Sequence, residues 1–120
     1  MAKRTIAEFR AERKVGQERI LACDHLDMKR FMRLDAAAYE DAALTGRTKE
    51  LLGLVASAVL RCNDCIDYHL EQCVRHGYTR REIEDALNVA LVVGGSIFIP
   101  HLRHALRSLD ELLAEAGRAD

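Results

Sequence analysis

Tryptophan is absent from this chain, aromatic residues make up only 5% of it, and it holds a single proline. β-Branched clusters are few, while alanine and leucine dominate, and such a composition excludes a sheet-rich design in favour of helices. No apolar run approaches the roughly 20 residues that a membrane span needs. The opening segment, Met1 to Lys14, lacks the apolar centre of a secretion signal. An excess of either sign of charge is missing as well. The 18 basic and 19 acidic residues leave a net charge of −1, which argues against a surface built for nucleic acid or membrane. The expectation is a cytoplasmic protein, in a compartment where thiols are kept reduced. With 120 residues and no repeat, low-complexity tract or Ser/Pro linker, it should form a single domain over 1–120 with one modest core.

What is present reads as an all-α bundle of five to six helices with short loops. Residues from about Thr5 to Leu21 form a charged amphipathic helix bearing Ile6, Phe9, Ile20 and Leu21, weakened by Gly16. A second helix is expected from an Asp27 N-cap to Leu44, burying Phe31, Leu34, Ala38 and Tyr39, with Gly46 as its stop. Thr48 to Leu60 follows, with Leu51, Leu52, Val55, Ala58 and Val59 at helical spacing. A fourth helix carries Arg61 to Cys73 and ends at Gly77. Thr79-Arg80-Arg81-Glu82 is a capping box opening the fifth, whose stripe is Ile83, Ala86, Leu87, Ala90 and Leu91. After Gly94-Gly95-Ser96, Pro100 sits in the first turn of a last helix bearing Leu102, Ala105, Leu106, Leu109, Leu112 and Leu113. A bundle this small, with stripes this leucine-rich, is expected to bury some of them against another copy of itself.

The chemistry concentrates in R-C-N-D-C-I-D-Y-H-L-E-Q-C, Arg61 to Cys73, which holds three of the four cysteines and a histidine. Structural zinc would need Cys62, Cys65, His69 and Cys73 at the corners of one tetrahedron. On a continuous helix Cys62 and Cys73 stand roughly 16 Å apart along the axis, and no Gly or Pro lets the chain turn back. No metal is therefore expected, and no bound cofactor. Thiol chemistry fits the same spacing. Cys62 and Cys65 open a helix whose N-terminus lowers a thiol pKa, and His69 lies one turn beyond Cys65, placed to take or return a proton. Cys73, further along that face, and Cys23 read as packing residues. If the preceding helix folds back near Arg61, Glu50 falls about one turn from His69 and could orient its imidazole.

Glu50 followed by Cys62-x-x-Cys65-x-x-x-His69 resembles the alkyl hydroperoxidase D-like proteins of the carboxymuconolactone decarboxylase family. The flanking text T-K-E-L-L-G-L-V-A-S-A-V-L-R-C-N-D-C-I-D-Y-H, then H-G-Y-T-R-R-E-I-E-D-A-L-N-V-A and G-G-S, is similar too. The likeness takes in a core from about residue 27 to 113 and leaves 1–25 as an N-terminal helical extension. It implies an all-α fold assembling into a homo-oligomer, commonly a trimer or hexamer. It also implies that Cys65 attacks a peroxide or disulfide, and that Cys62 donates a proton and then resolves the intermediate as a Cys62–Cys65 disulfide. Glu50 and His69 would be the proton relay, and a dithiol protein or lipoyl-type carrier the reductant. The chain departs from those members that carry a histidine just before the second cysteine: Asp64 stands there, and an acidic group facing Cys65 would oppose thiolate formation.

Two rival readings remain. The family also covers decarboxylases acting on an aromatic-degradation lactone through acid/base groups in an inter-helix pocket, which His101 and His104 could serve if they are more than surface histidines. A non-enzymatic redox-sensing oligomer is the other.

Overall fold

The computed structural model describes residues 3–120. Six α-helices and one short 3-10 helix carry its regular structure, with no strand among the described residues. The helices are α1 (Ile6–Leu21), α2 (Leu26–Ala38), α3 (Gly46–Val59), α4 (Asn63–Arg75), α5 (Arg80–Gly94) and α6 (Ile99–Glu115), with Ser96–Phe98 forming the 3-10 turn before α6. The all-α expectation holds. No helix among the described residues is long and apolar enough to cross a membrane. The chain groups into two compact units, Met1–Gly46 and Arg47–Asp120.

In the first unit, Thr5 caps α1 through a reciprocal box with Glu8. The side chains of Ile6 and Phe9 are buried, whereas Leu21 is exposed. The expectations for the second helix fail here. The α2 helix begins after His25, whose ring accepts the Met28 N–H, and ends at Ala38, six residues before the expected Leu44. None of its residues is buried: Phe31 and Leu34 are 62% and 68% exposed, Ala38 is exposed and Tyr39 only half-buried. Gly46 opens α3 instead of closing α2, because the Asp41 carboxylate accepts the Gly46 N–H at 2.6 Å and holds the start of the new helix.

The second unit holds α3 to α6. The α3 helix ends in a Schellman motif, with Arg61 N–H bonded to the Ala58 carbonyl and Cys62 N–H to that of Ser57. Arg61 occupies the left-handed position at φ 60°, which glycine usually fills. Cys62 is at once the last residue of this motif and the N-cap of α4, so the chain reverses with no intervening loop. The next reversal uses Gly77, at φ 82°, and is fixed by the Tyr78 hydroxyl donating to the Arg47 carbonyl at 3.1 Å. The Arg47 guanidinium stacks over the Tyr78 ring at 3.7 Å. Thr79 and Glu82 form the expected capping box.

Asn63 meets His101, and Asp67 meets His104 and Ser108, so partners advance in the same sense on both helices. The α4 and α6 helices therefore run parallel, with their N-termini at one end. The buried stripe of α4 is Ile66, Asp67, Leu70, Cys73 and Val74, and that of α6 is Ala105, Ser108, Leu109, Leu112 and Leu113. Leu102 and Leu106 are only half-buried. On α3 the buried face is Glu50, Gly53, Leu54, Ser57 and Ala58. The expected stripe is thus offset by about one residue: of Leu51, Leu52, Val55, Ala58 and Val59, only Ala58 is fully buried and Leu52 is 53% exposed.

Candidate thiol site at the head of the fourth helix

All of the residues singled out for thiol chemistry lie in the second unit, around the first two turns of α4. Cys62 and Cys65 are joined as a disulfide, with Cα atoms 5.3 Å apart. The Cys62 Sγ caps the helix by accepting the Cys65 N–H at 3.2 Å. A sulfur at this position receives an N–H that the helix itself leaves unpartnered, at the positive end of the helix dipole. Cys62 is half-buried and Cys65 is exposed. Asp64, the acidic residue of that first turn, is exposed too. A carboxylate there favours the helix start.

His69 lies one turn beyond Cys65 and is almost wholly buried, 7% exposed. Its Nδ1 is 2.8 Å from Oε2 of Glu50, itself 5% exposed. The sequence brings these two together through the reversal at Arg61, which folds α4 back along α3. The imidazole also rests on the bare backbone of α3. A Cβ built on Gly53 would stand 2.7 Å from His69 Cε1 and 2.9 Å from both ring nitrogens. Only glycine leaves room for the ring, which accounts for a residue that is costly in the middle of a helix.

Cys73 is fully buried. Its thiol is pushed up from 9.0 to about 12, first by burial and then by the nearby Glu50 carboxylate, with Arg47 pulling weakly the other way. It stays protonated at neutral pH and takes no part in thiolate chemistry. Cys23, in the first unit, is half-buried and lies 3.2 Å from the Arg19 guanidinium.

His101 and His104, read from the sequence as exposed or hydrogen-bonded surface histidines, are both half-buried and hydrogen-bonded to α4. His101 Nδ1 is 2.8 Å from Oδ1 of Asn63, the residue after Cys62. His104 Nε2 is 2.9 Å from Oδ1 of Asp67, and the Ser108 hydroxyl donates to that same oxygen at 2.6 Å. Arg107 donates to His104 Nδ1 at 3.1 Å, which fixes the neutral tautomer with its proton on Nε2. Sequence reasoning missed Asp67, which is 2% exposed. The available signal was its place in an apolar stripe, one helical face away from a second stripe that carries Ser108 and His104.

Among the described residues no three His, Cys, Asp or Glu side chains gather as a metal site. The arrangement offers two things: a vicinal sulfur pair, one member open to solvent, and a buried carboxylate–imidazole pair one turn away.

Residues 28–111 match the carboxymuconolactone decarboxylase family. An uncharacterized protein of the cox locus of Paracoccus denitrificans is 33% identical over 82 residues, 68% of this chain and 74% of that one. Another, from Cupriavidus necator, is 30% identical over 87 residues, covering 72% of this chain and 77% of its own. Among solved structures, TM1620 of Thermotoga maritima superposes with a TM-score of 0.89 at 51% identity, over 92% of this chain and 96% of that one. A second crystal structure of TM1620 calls it a carboxymuconolactone decarboxylase family protein and suggests a part in an antioxidative response. Apo-lpg0406 of Legionella pneumophila, a member of the same family, gives 0.81 at 25% identity, over 89% of this chain and 96% of its own. The Cys62-x-x-Cys65 pair fits the alkyl hydroperoxidase D-like subgroup. By the span of the family match and by fold, this chain belongs to the carboxymuconolactone decarboxylase family.

Proposed function

We propose that the protein is a thiol-dependent oxidoreductase of the alkyl hydroperoxidase D-like type, reducing a peroxide or a partner disulfide through Cys62 and Cys65. The observation that carries this reading is the exposed Cys65 sulfur at a helix N-terminus, one turn from a buried imidazole bonded to a buried carboxylate. In the peroxide reaction, the Cys65 thiolate attacks one oxygen of ROOH and the O–O bond breaks. The sulfur becomes a sulfenic acid, and the leaving alkoxide takes a proton to depart as ROH. Cys62 then attacks that sulfur, a disulfide forms and water leaves, so two thiols are oxidised as one peroxide is reduced. His69, held by Glu50, moves the protons, and an external dithiol, a protein or lipoyl-type carrier, restores the pair by exchange. The site takes no bound cofactor in this scheme.

Self-association into a trimer or hexamer and a cytoplasmic setting belong to the same reading. The exposed Phe31 and Leu34 of α2 and Val92 and Val93 of α5 are apolar surface that such an assembly would cover.

The test is a thiol titration before and after addition of a hydroperoxide, with a dithiol reductant then supplied for turnover. Two thiols should disappear per peroxide in wild type, and Cys65→Ser should abolish consumption. Unchanged consumption by Cys65→Ser would refute the scheme. Turnover of a carboxylated lactone by the Cys62→Ala/Cys65→Ala double variant would favour decarboxylation. One stoichiometric oxidation without turnover, whatever the reductant, would favour a sensor.

A further inference from the structure

Beyond the thiol pair and its relay, one more side chain reaches the redox turn. His101, in the first turn of α6, bonds through Nδ1 to the side-chain oxygen of Asn63 at 2.8 Å. Asn63 lies between the two cysteines and is the first residue of α4, directly after the N-cap Cys62. The parallel packing of α4 and α6 brings the two helix starts to the same end, so a residue from α6 can brace the turn that the disulfide closes. From there we infer that His101 is a positioning residue for the redox pair, acting through Asn63 to hold the C-x-x-C turn in its disulfide-closed form.

The physical basis is the difference between the two redox states. In the disulfide, Cys62 and Cys65 are tied across the first turn with Cα atoms 5.3 Å apart, well within the range that a disulfide tolerates. On reduction the sulfurs must separate to non-bonded distance. Rotation about the cysteine side-chain bonds supplies part of that separation, and turning the peptide that Cys62 shares with Asn63 supplies the rest. A bond from α6 to Asn63 resists the turning of that peptide. A hydrogen bond serving only to join α4 to α6 would be the same in both states and would leave the redox equilibrium where it is. The Asp67 cluster, one turn further along the same helix pair, joins α4 to α6 without touching the C-x-x-C turn, which makes it the internal contrast.

This inference rests on the thiol redox reading, but its test needs no natural substrate. Wild type, His101→Ala, His101→Gln, Asn63→Ala and the His101→Ala/Asn63→Ala double variant are equilibrated with reduced and oxidised glutathione. The Cys62–Cys65 disulfide is quantified by alkylation and mass spectrometry of the peptide that holds both cysteines. His101→Ala should shift the equilibrium toward the dithiol by about three- to tenfold, the size of one hydrogen bond. Asn63→Ala should do the same, and the double variant should add nothing further. His101→Gln, which keeps an N–H donor, should stay near wild type. An equilibrium within about twofold of wild type in a folded His101→Ala, a shift toward the disulfide, or simple additivity in the double variant would overturn the inference. Should His101→Ala fail to fold, Asn63→Ala carries the test from the turn itself. A wild type that equilibrates with glutathione but consumes no peroxide would sink the peroxide scheme alone. Peroxide turnover with an unmoved His101→Ala equilibrium would sink this inference alone.

Discussion

Helix α4 is flanked by two carboxylate–imidazole pairs of nearly the same length. On the side of α3, Glu50 meets His69 at 2.8 Å; on the side of α6, Asp67 meets His104 at 2.9 Å. Their surroundings set them apart. Ser108 and Arg107 lock the second pair, one on the shared carboxylate oxygen and one on the far ring nitrogen, so both nitrogens of His104 are spoken for and a cation faces the site where a proton would add. The first pair lies one turn from Cys65, and its ring is seated on the bare backbone at Gly53. The same two functional groups thus make a fastening in one place and, in the proposed scheme, a proton relay in the other. The neighbours decide which.

That contrast can be broken by variants, and the largest effect falls on the relay. Glu50→Gln keeps shape and a hydrogen bond but removes the carboxylate that faces His69 Nδ1 at 2.8 Å. Peroxide turnover should fall by about 10²- to 10⁴-fold while thermal unfolding moves little. Equal turnover in the two proteins would show that the first pair is also only a fastening. Gly53→Ala presses on the same ring from the backbone side and should cost about 100-fold in turnover by displacing it, with Glu50 and both cysteines untouched.

His104→Ala should behave in the opposite way. It strips a hydrogen bond from a carboxylate that is 2% exposed, and should lower stability by about 2–3 kcal/mol in urea unfolding, with turnover per folded molecule kept. A selective loss of activity would instead revive an acid/base role for α6. The smallest effect concerns Cys73, which sits near the relay carboxylate. Its folded pKa is raised, so its contribution to stability is complete below about pH 9 and lost as pH rises toward about 12. Alkylation of the reduced native protein at pH 8 should label Cys65 and spare Cys73. Labelling of Cys73 without unfolding would contradict its burial.

Much of this arrangement could be read from the sequence wherever local chemistry settled the structure. The box at Thr79, the stop at Gly77, the Pro100 start of α6 and the meeting of Glu50 with His69 all follow from spacing and caps. The misreadings in the second unit share one physical cause. On α3, Leu51, Leu52 and Val55 form the more hydrophobic side, yet the buried side carries Glu50, Gly53 and Ser57. A site that needs a carboxylate and an empty position in the interior displaces the apolar residues by which a periodicity argument finds that interior. Asp67 escaped notice for the same reason. In the first unit, α2 shows the converse: Phe31 and Leu34 are spaced as for a core, but the chain itself does not bury them. Hydrophobic spacing reports a face with something to cover and does not name what covers it.

The backbone under His69 carries a consequence for how this sequence can vary. In a library with every residue sampled at every position and selected for activity, the column at 53 should collapse to a single letter. Its helical neighbours at 52 and 56, both exposed, should drift freely. Intrinsic helix preference would rank alanine first at that position and glycine almost last. The strength of selection against alanine there is therefore a direct gauge of how much the molecule depends on one imidazole staying in place.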